Sequence, residues 1–582
     1  MHPYYDNWST YNKGKTSFSG HRNKVAKDYF PEGIKDTSDI NLPSDSDIEF
    51  INLPSSLEVI NEYTFCGCTK LKEIDLSNCT RLKKIDVRAF EGCTSLKEID
   101  LSNCTKLTVI KRSAFNGCTS LESITFPDSL EKIDMFAFSG CTSLKEIDLS
   151  NCTKLKYIWH YAFEGCTSLE SITFPDSLEG ILMCAFKGCT NLESITFPDS
   201  LEQIHLSAFK GCTSLKEIDL SSCTSLEEIE DNAFKDCTNL ESITLPDSLR
   251  VIYANAFEGC TSLKEIDLSN CTELYEIDSG TFKDYTSLES ITLPDSLRRI
   301  YANAFEGRTS LKEIDLSNCT GVTYIENGTF KDCTSLESIT LPNSLEKIEG
   351  DAFCGCTKLK EIDLSKCTGL KEIKTKAFKD CTSLESITLP DSLERIHSSA
   401  FEGCTSLESI TLPDSLEKIG QDAFEGCTSL KEIDLSNCIN LATIERRAFK
   451  GCINLNTISL PYKTKIEDDV FEDRTNIQKE SYLSYITHSL KFYITCVMLA
   501  SVLFFYWMLN YDETETEWTV TICGIIACTL IGIFLHKWKF VLYGVSFILL
   551  VHYIGGWATA LFIVAFIIKQ KYFHKEEEAE NP

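Results

Sequence analysis

A phenylalanine, most often in an Ala-Phe pair, returns at positions 65, 90, 115, 138, 163, 186, 209, 234, 257, 282, 305, 330, 353, 378, 401, 424, 449 and 471. The steps are 23 or 25 residues, with a last step of 22. Self-similarity at this period leaves few folds open. Each unit is too short to enclose an apolar core and must stack on its neighbours, which is the definition of a solenoid. Stacked coils make long surfaces, whereas catalysis usually needs a concave pocket with converging groups.

One unit runs from Ala114 to Ile133, followed by three variable residues. Leu121 to Phe126 alternates as a short strand, with Ile124 and Phe126 inward and Ser123 and Thr125 outward. Pro127 and Asp128 end it with turn chemistry. A second Leu-x-x-Ile step follows, and Ala-Phe-x-Gly-Cys reads as a short helical turn closed by glycine. The predicted architecture is an α/β repeat solenoid, a rod of about eighteen coils with a parallel β-sheet on one face. At roughly 4.8 Å per coil its length is on the order of 85 Å.

Units of 25 residues carry Leu-Ser-Asn-Cys-Thr-x-Leu, as in Leu76 to Leu82, where the 23-residue units have Leu-Pro-Asp-Ser-Leu. The strand changes in step, Lys-Glu-Ile-Asp in long units and usually Glu-Ser-Ile-Thr in short ones. Asp75, Asp100, Asp148, Asp219, Asp267, Asp315, Asp363 and Asp434 thus share one track with threonines such as Thr125 and Thr173 between them. Most of these aspartates fall about 10 Å apart, near one Debye length, so the track reads as a solvated sheet face rather than a cation site.

The run Phe401 to Ile419, Phe-x-Gly-Cys-Thr-Ser-Leu-x-x-Ile-x-Leu-Pro-x-Ser-Leu-x-x-Ile, resembles the BspA-like leucine-rich repeat proteins of oral and gut bacteria and mucosal protist parasites. The resemblance covers roughly residues 48–475. It implies a surface protein that adheres to host matrix, host cells or other microbes, with no shared catalytic residues. The Leu-Ser-Asn-Cys-Thr units depart from the pattern as a cysteine-bearing variant, and the carboxyl-terminal region lies outside it.

A net charge of -30 over 582 residues disfavours nucleic acid as a partner. Of 29 cysteines, fifteen hold the Gly-Cys-type position from Cys68 to Cys452 and eight the Asn-Cys-type position from Cys79 to Cys438. A small buried side chain recurring once per coil reads as a packing ladder of reduced thiols. Tyr285, Arg308 and Arg474 interrupt it. Loss of two successive members, Tyr285 and Arg308, fits either one missing disulfide pair or simple drift. Cys66-Gly-Cys68 and Cys354-Gly-Cys356 lack two further ligands at fixed spacing for zinc. No cofactor is read from the chain.

Five segments follow from this reading: a polar flexible leader at 1–47, the solenoid at 48–476, a linker at 477–491, a membrane region at 492–568 and a charged tail at 569–582. Phe492–Leu509, Trp518–Leu535 and Phe540–Ile568 are apolar runs long enough to cross a bilayer, about three transmembrane helices, the last with a re-entrant alternative around Gly555-Gly556. The expectation is an integral membrane protein contacting lipid through residues 492–568. Lys491, His536-Lys537-Trp538-Lys539 and polar residues 1–30 place the repeats in the cytosol, whereas the family resemblance implies the cell surface. Sequons such as Asn78-Cys79-Thr80 read as incidental products of the turn.

Scaffold positions recur nearly unchanged, but the three residues before each Ala-Phe vary. Four successive coils place apolar and aromatic residues there: Met135 and Phe136; Trp159, His160 and Tyr161; Leu182, Met183 and Cys184; His205 and Leu206. Aligned coils set these side by side as one exposed patch, the expected partner site. His160 and His205, two coils apart, read as surface residues too distant to share a metal. No Gly-x-Gly-x-x-Gly, Walker lysine loop, His-Glu-x-x-His or nucleophile elbow is present, so the chain reads as no enzyme. The favoured function is binding of a protein or cell-surface ligand through the solenoid. The alternative is a membrane scaffold that self-associates or recruits partners.

Overall fold

A computed structural model describes residues 30, 33–38, 47–283, 287–472 and 475–479. The chain divides into two units, Met1–Glu480 and Ser481–Pro582, and the second lies outside the described residues. The first is a parallel β-solenoid of about 17 turns. Every regular element among the described residues is a strand.

Two strand tracks run along it. In the first, three-residue strands stack in parallel register, as in Glu98↔Ser123, Ile99↔Ile124 and Asp100↔Thr125. The central isoleucine is buried and its neighbours are exposed, which is the alternation the sequence predicts. In the second, two-residue strands ending in isoleucine form one sheet from Val59–Ile60 to Arg299–Ile300 and another from Tyr324–Ile325 to Lys465–Ile466.

The repeating phenylalanines form one interior column. Neighbouring rings from Phe65 to Phe257 stack at 4.9 to 5.5 Å, and Phe65 through Phe257 are at most 1% exposed. This stack supplies the apolar burial that no single coil achieves.

The Ala-Phe-x-Gly-Cys segment is a turn, not the short helix expected. A helix needs each N–H to reach back four residues. Here Phe136, Phe138 and Gly140 instead donate to the next coil, at His160, Ala162 and Glu164. Left-handed backbone at Phe136 and Gly140 aims these groups outward along the rod. The fold is therefore all-β among the described residues rather than α/β.

Both cysteine positions hold the coils together. Cys118 Sγ donates to the Phe90 carbonyl at 3.1 Å and Cys189 Sγ to that of Phe163 at 3.2 Å, a bond repeated in coil after coil. In the long units Cys152 donates to the Pro127 carbonyl at 3.6 Å and Cys223 to that of Pro198 at 3.5 Å. Short units use serine instead, as Ser129 donates to the Leu107 carbonyl at 2.8 Å. The alternation of unit length is thus an alternation of donor. All 26 described cysteines are free thiols.

At the amino-terminal end, Phe30 packs on Phe65 with ring centroids 6.2 Å apart, and Asp36 bridges to Val59. Thr37 is buried and shares a 2.7 Å hydrogen bond with Thr64. At the other end, Asn476–Lys479 pairs with Thr457–Leu460 and exposes all four residues.

The expectation of an integral membrane protein is corrected: among the described residues no helix is long and apolar enough to cross a membrane. The runs Phe492–Leu509, Trp518–Leu535 and Phe540–Ile568, on which it rested, lie outside the described residues.

Candidate functional site

The variable triplet lies between the second-track strand and the buried Ala-Phe. Its first residue is tied to the preceding coil, as Asp134 N–H donates to Ile110 and Leu182 N–H to Ile158, both at 2.9 Å. Its third residue has left-handed backbone in nearly every coil. Asn232, Asn255, Asn303, Asp351, Asp422, Gly280 and Gly328 suit that conformation, because it costs a bulky side chain about 1–2 kcal/mol.

Phe136 at φ 57° and Tyr161 at φ 58° break that preference in adjacent coils. Their rings stack with centroids 4.6 Å apart and planes within 5°. The Tyr161 hydroxyl donates to Met183 Sδ at 3.3 Å, continuing the contact into a third coil. Cys184 follows in the same column at φ 56°, buried, its thiol pushed up by burial.

Beside this column stand Trp159 and His160, with ring centroids 6.2 Å apart and edge to face. Lys132 Nζ sits 3.7 Å from the Trp159 ring centroid, a cation–π contact, and pairs with Asp134 at 3.3 Å. Burial, with a smaller contribution from His205, holds the His160 imidazole below its ordinary pKa, and its Nδ1 is buried with no hydrogen-bond partner among the described residues. His205 Nδ1 lies 2.6 Å from Glu230 Oε1, and Glu230 Oε2 accepts the Leu206 N–H at 2.7 Å.

Met135, Phe136, Trp159, His160, Tyr161, Leu182, Met183 and Leu206 are all half-buried, whereas the sequence predicts an exposed patch. The reason is geometric: coils about 5 Å apart make large neighbouring side chains cover one another. His205 is also half-buried. Sequence reasoning missed Lys132, which the coil offset carries over Trp159, and the left-handed column. The second left a signal in its Asn, Asp and Gly.

The patch is apolar and aromatic, and its charges are paired. Such a surface can bind a partner.

The aspartate track is engaged in turns. Asp219 Oδ1 accepts the Ser221 N–H at 3.0 Å, and hydrogen bonds from Ser221 hold its pKa below the usual carboxylate value. Asp100 is lowered first by the Thr125 hydroxyl and then by Ser102. No group of His, Cys, Asp and Glu suited to a metal occurs among the described residues.

A family model described as the BspA type leucine rich repeat region matches residues 41–158, 156–276, 251–381 and 371–489. No curated protein matches the chain. Among solved structures it is similar to a leucine-rich repeat protein from Bacteroides ovatus, at 34% identity over 60% of this chain and 88% of that one, with a TM-score of 0.49. It is also similar to the pneumococcal vaccine antigen PcpA, at 21% identity over 62% and 89%, with a TM-score of 0.37. A leucine rich cell surface protein from Faecalibacterium prausnitzii is 19% identical over 75% and 89%, with a TM-score of 0.26. The family matches together span the solenoid from end to end, and the chain belongs to the BspA-type leucine-rich repeat family.

Proposed function

We propose that this solenoid is a binding module for a protein or cell-surface ligand, acting in adhesion or recognition, with its contact centred on Met135 to Leu206. The observation that carries this reading is the Phe136–Tyr161 pair. Two aromatic rings occupy left-handed positions that most other coils give to Asn, Asp, Ser or Gly, with Tyr63, Arg88, Cys184, Lys376 and Arg447 as further departures, and these two stack on each other across adjacent coils. Strain tolerated at a surface cluster is the kind of departure that function accounts for. Membership in a family that includes surface antigens supports the reading.

The test is binding of the full chain to matrix proteins, host cells and other microbes. The quadruple change Phe136→Ser, Trp159→Ser, Tyr161→Ser and Met183→Ser should lower binding at least tenfold while the solenoid stays folded. Unchanged binding would remove the patch from the function. A chain that oligomerises yet captures no external ligand would favour the self-associating scaffold.

A further inference from the structure

Three ladders run along the rod, and all three are disturbed over the same coils. In the ring column, Phe257 and Phe282 are 6.0 Å apart, the widest step between successive column rings among the described residues. The next pair, Phe282–Phe305, tilts by 20°. Backbone bonds between successive column phenylalanines lengthen at the same place. Phe209 to Ala233 and Phe234 to Ala256 are both 2.8 Å, but Phe257 to Thr281 is 3.2 Å, and Phe282 to Ala304 and Phe305 to Thr329 are 3.0 Å. Phe330 to Ala352 returns to 2.8 Å.

The second-track sheet ends at Arg299–Ile300, and a separate sheet begins at Tyr324–Ile325. The thiol ladder reaches Cys260, bonded to Phe234 at 3.2 Å, and resumes at Cys333, bonded to Phe305 at 3.2 Å. Between them Arg308 holds the ladder position, fully buried, with its guanidinium 5.9 Å from the Phe282 ring centroid.

The substitutions account for the loosening. Arg308 puts the largest fully buried side chain of the described rod where other coils place a small thiol. Thr281 and Thr329 replace the buried alanine before the phenylalanine, and the Thr281 hydroxyl turns away to the carbonyls of Asp278 at 2.7 Å and Tyr253 at 3.1 Å. Close-packed interiors transmit such volume changes to the neighbouring layers.

We propose that the described residues 257–283 and 287–325 form a built-in joint that divides the solenoid into two cooperative blocks, with the aromatic patch wholly in the first. Stability in a stacked array is a sum of unit terms and nearest-neighbour interfaces, so weakening consecutive interfaces sets a boundary where opening begins. The joint lets either block open without the other.

Hydrogen exchange by mass spectrometry on the intact full chain tests this. After correction for intrinsic rates, amides within 257–325 should exchange at least tenfold faster than those in 115–209 and 353–424. Equal protection across all three stretches, or a faster interior stretch elsewhere, would overturn the joint. Arg308→Cys restores the thiol and should slow exchange in 257–325 severalfold. No slowing in a folded Arg308→Cys chain would overturn the ladder as its cause, and the wild-type profile decides the joint by itself.

Discussion

The ring of Phe136 lies 4.6 Å from that of Tyr161 and nearly parallel to it, although both residues hold left-handed backbone. Stacking of this kind contributes about 0.5–1.5 kcal/mol, and the backbone conformation costs each residue about 1–2 kcal/mol. The pair's backbone cost, about 2–4 kcal/mol in all, exceeds the stacking, and the apolar surface that the two half-buried rings remove from water offsets the remainder. Replacing Phe136 and Tyr161 together with asparagine, the residue at this position in Asn232, Asn255 and Asn303, should change stability by no more than about 1 kcal/mol in urea denaturation. A loss above about 3 kcal/mol would show that the pair is core packing, and the binding reading would lose its support.

Thiol chemistry separates the native from the unfolded chain. Of the 26 described cysteines only Cys66 and Cys354 are not buried. Peptide mapping after treatment with a maleimide near neutral pH should find those two labelled slowly and the buried solenoid thiols unlabelled until denaturant is added. Rapid labelling of Cys189 or Cys212 in the native protein would contradict the packing described.

The same burial makes the solenoid sensitive to alkali. Desolvation pushes Cys166 and Cys212 up to about 12, and Cys223 and Cys271 to about 11. In the unfolded chain these thiols titrate near about 8.5. A raised folded value means the contribution is complete below the unfolded value and is lost as pH rises towards the folded one. Each such thiol removes about 1.4 kcal/mol per pH unit across that window. The urea midpoint should therefore fall steeply above about pH 9, and Cys212→Ala should flatten the slope by one thiol's share.

His160 gives the opposite sign. Burial first, and then the charge of His205, lowers its pKa in the folded state. The contribution is present above the unfolded value of about 6.5 and is lost as pH falls through the lower folded value. Between about pH 7 and pH 5 the wild-type midpoint should drop further than that of His160→Asn. Identical pH profiles for the two proteins would sink this assignment.

Gly280 tests the left-handed column sterically. Its φ is 63°, and a Cβ there would collide with Asn255 Oδ1. Gly280→Ala should cost about 1–3 kcal/mol, part of it recovered in the Asn255→Gly/Gly280→Ala double variant, as thermal unfolding would show. Full additivity of the two changes would mean that the collision is not the cause.

What the sequence disclosed was whatever a single coil expresses locally. Phenylalanine spacing reveals the ring column, because only a stacked interior repays an apolar residue at a fixed period. Alternation at Ile124 and Phe126 reveals the strand. The turn around Phe138 is not legible locally, because its helix-like Ala-Phe-x-Gly-Cys pattern says nothing of where its N–H groups go, and they go to another coil. The same limit applies to the patch. Its membership was visible in Trp159, Tyr161 and Met183, but their half-burial and the Lys132 contact depend on how one coil overlies the next. Asn232, Asn255 and Gly280 carried the sign of left-handed backbone without the comparison that makes Phe136 an exception.

The donor swap between long and short units bears on inheritance. Cys152 reaches back to a proline carbonyl of the short unit before it, as do Cys223, Cys319, Cys367 and Cys438. Unequal crossing-over between such similar stretches of gene would keep every junction familiar if it added or removed a long unit together with its short neighbour. Rod length is then a trait that recombination can change in doublets without inventing a new contact.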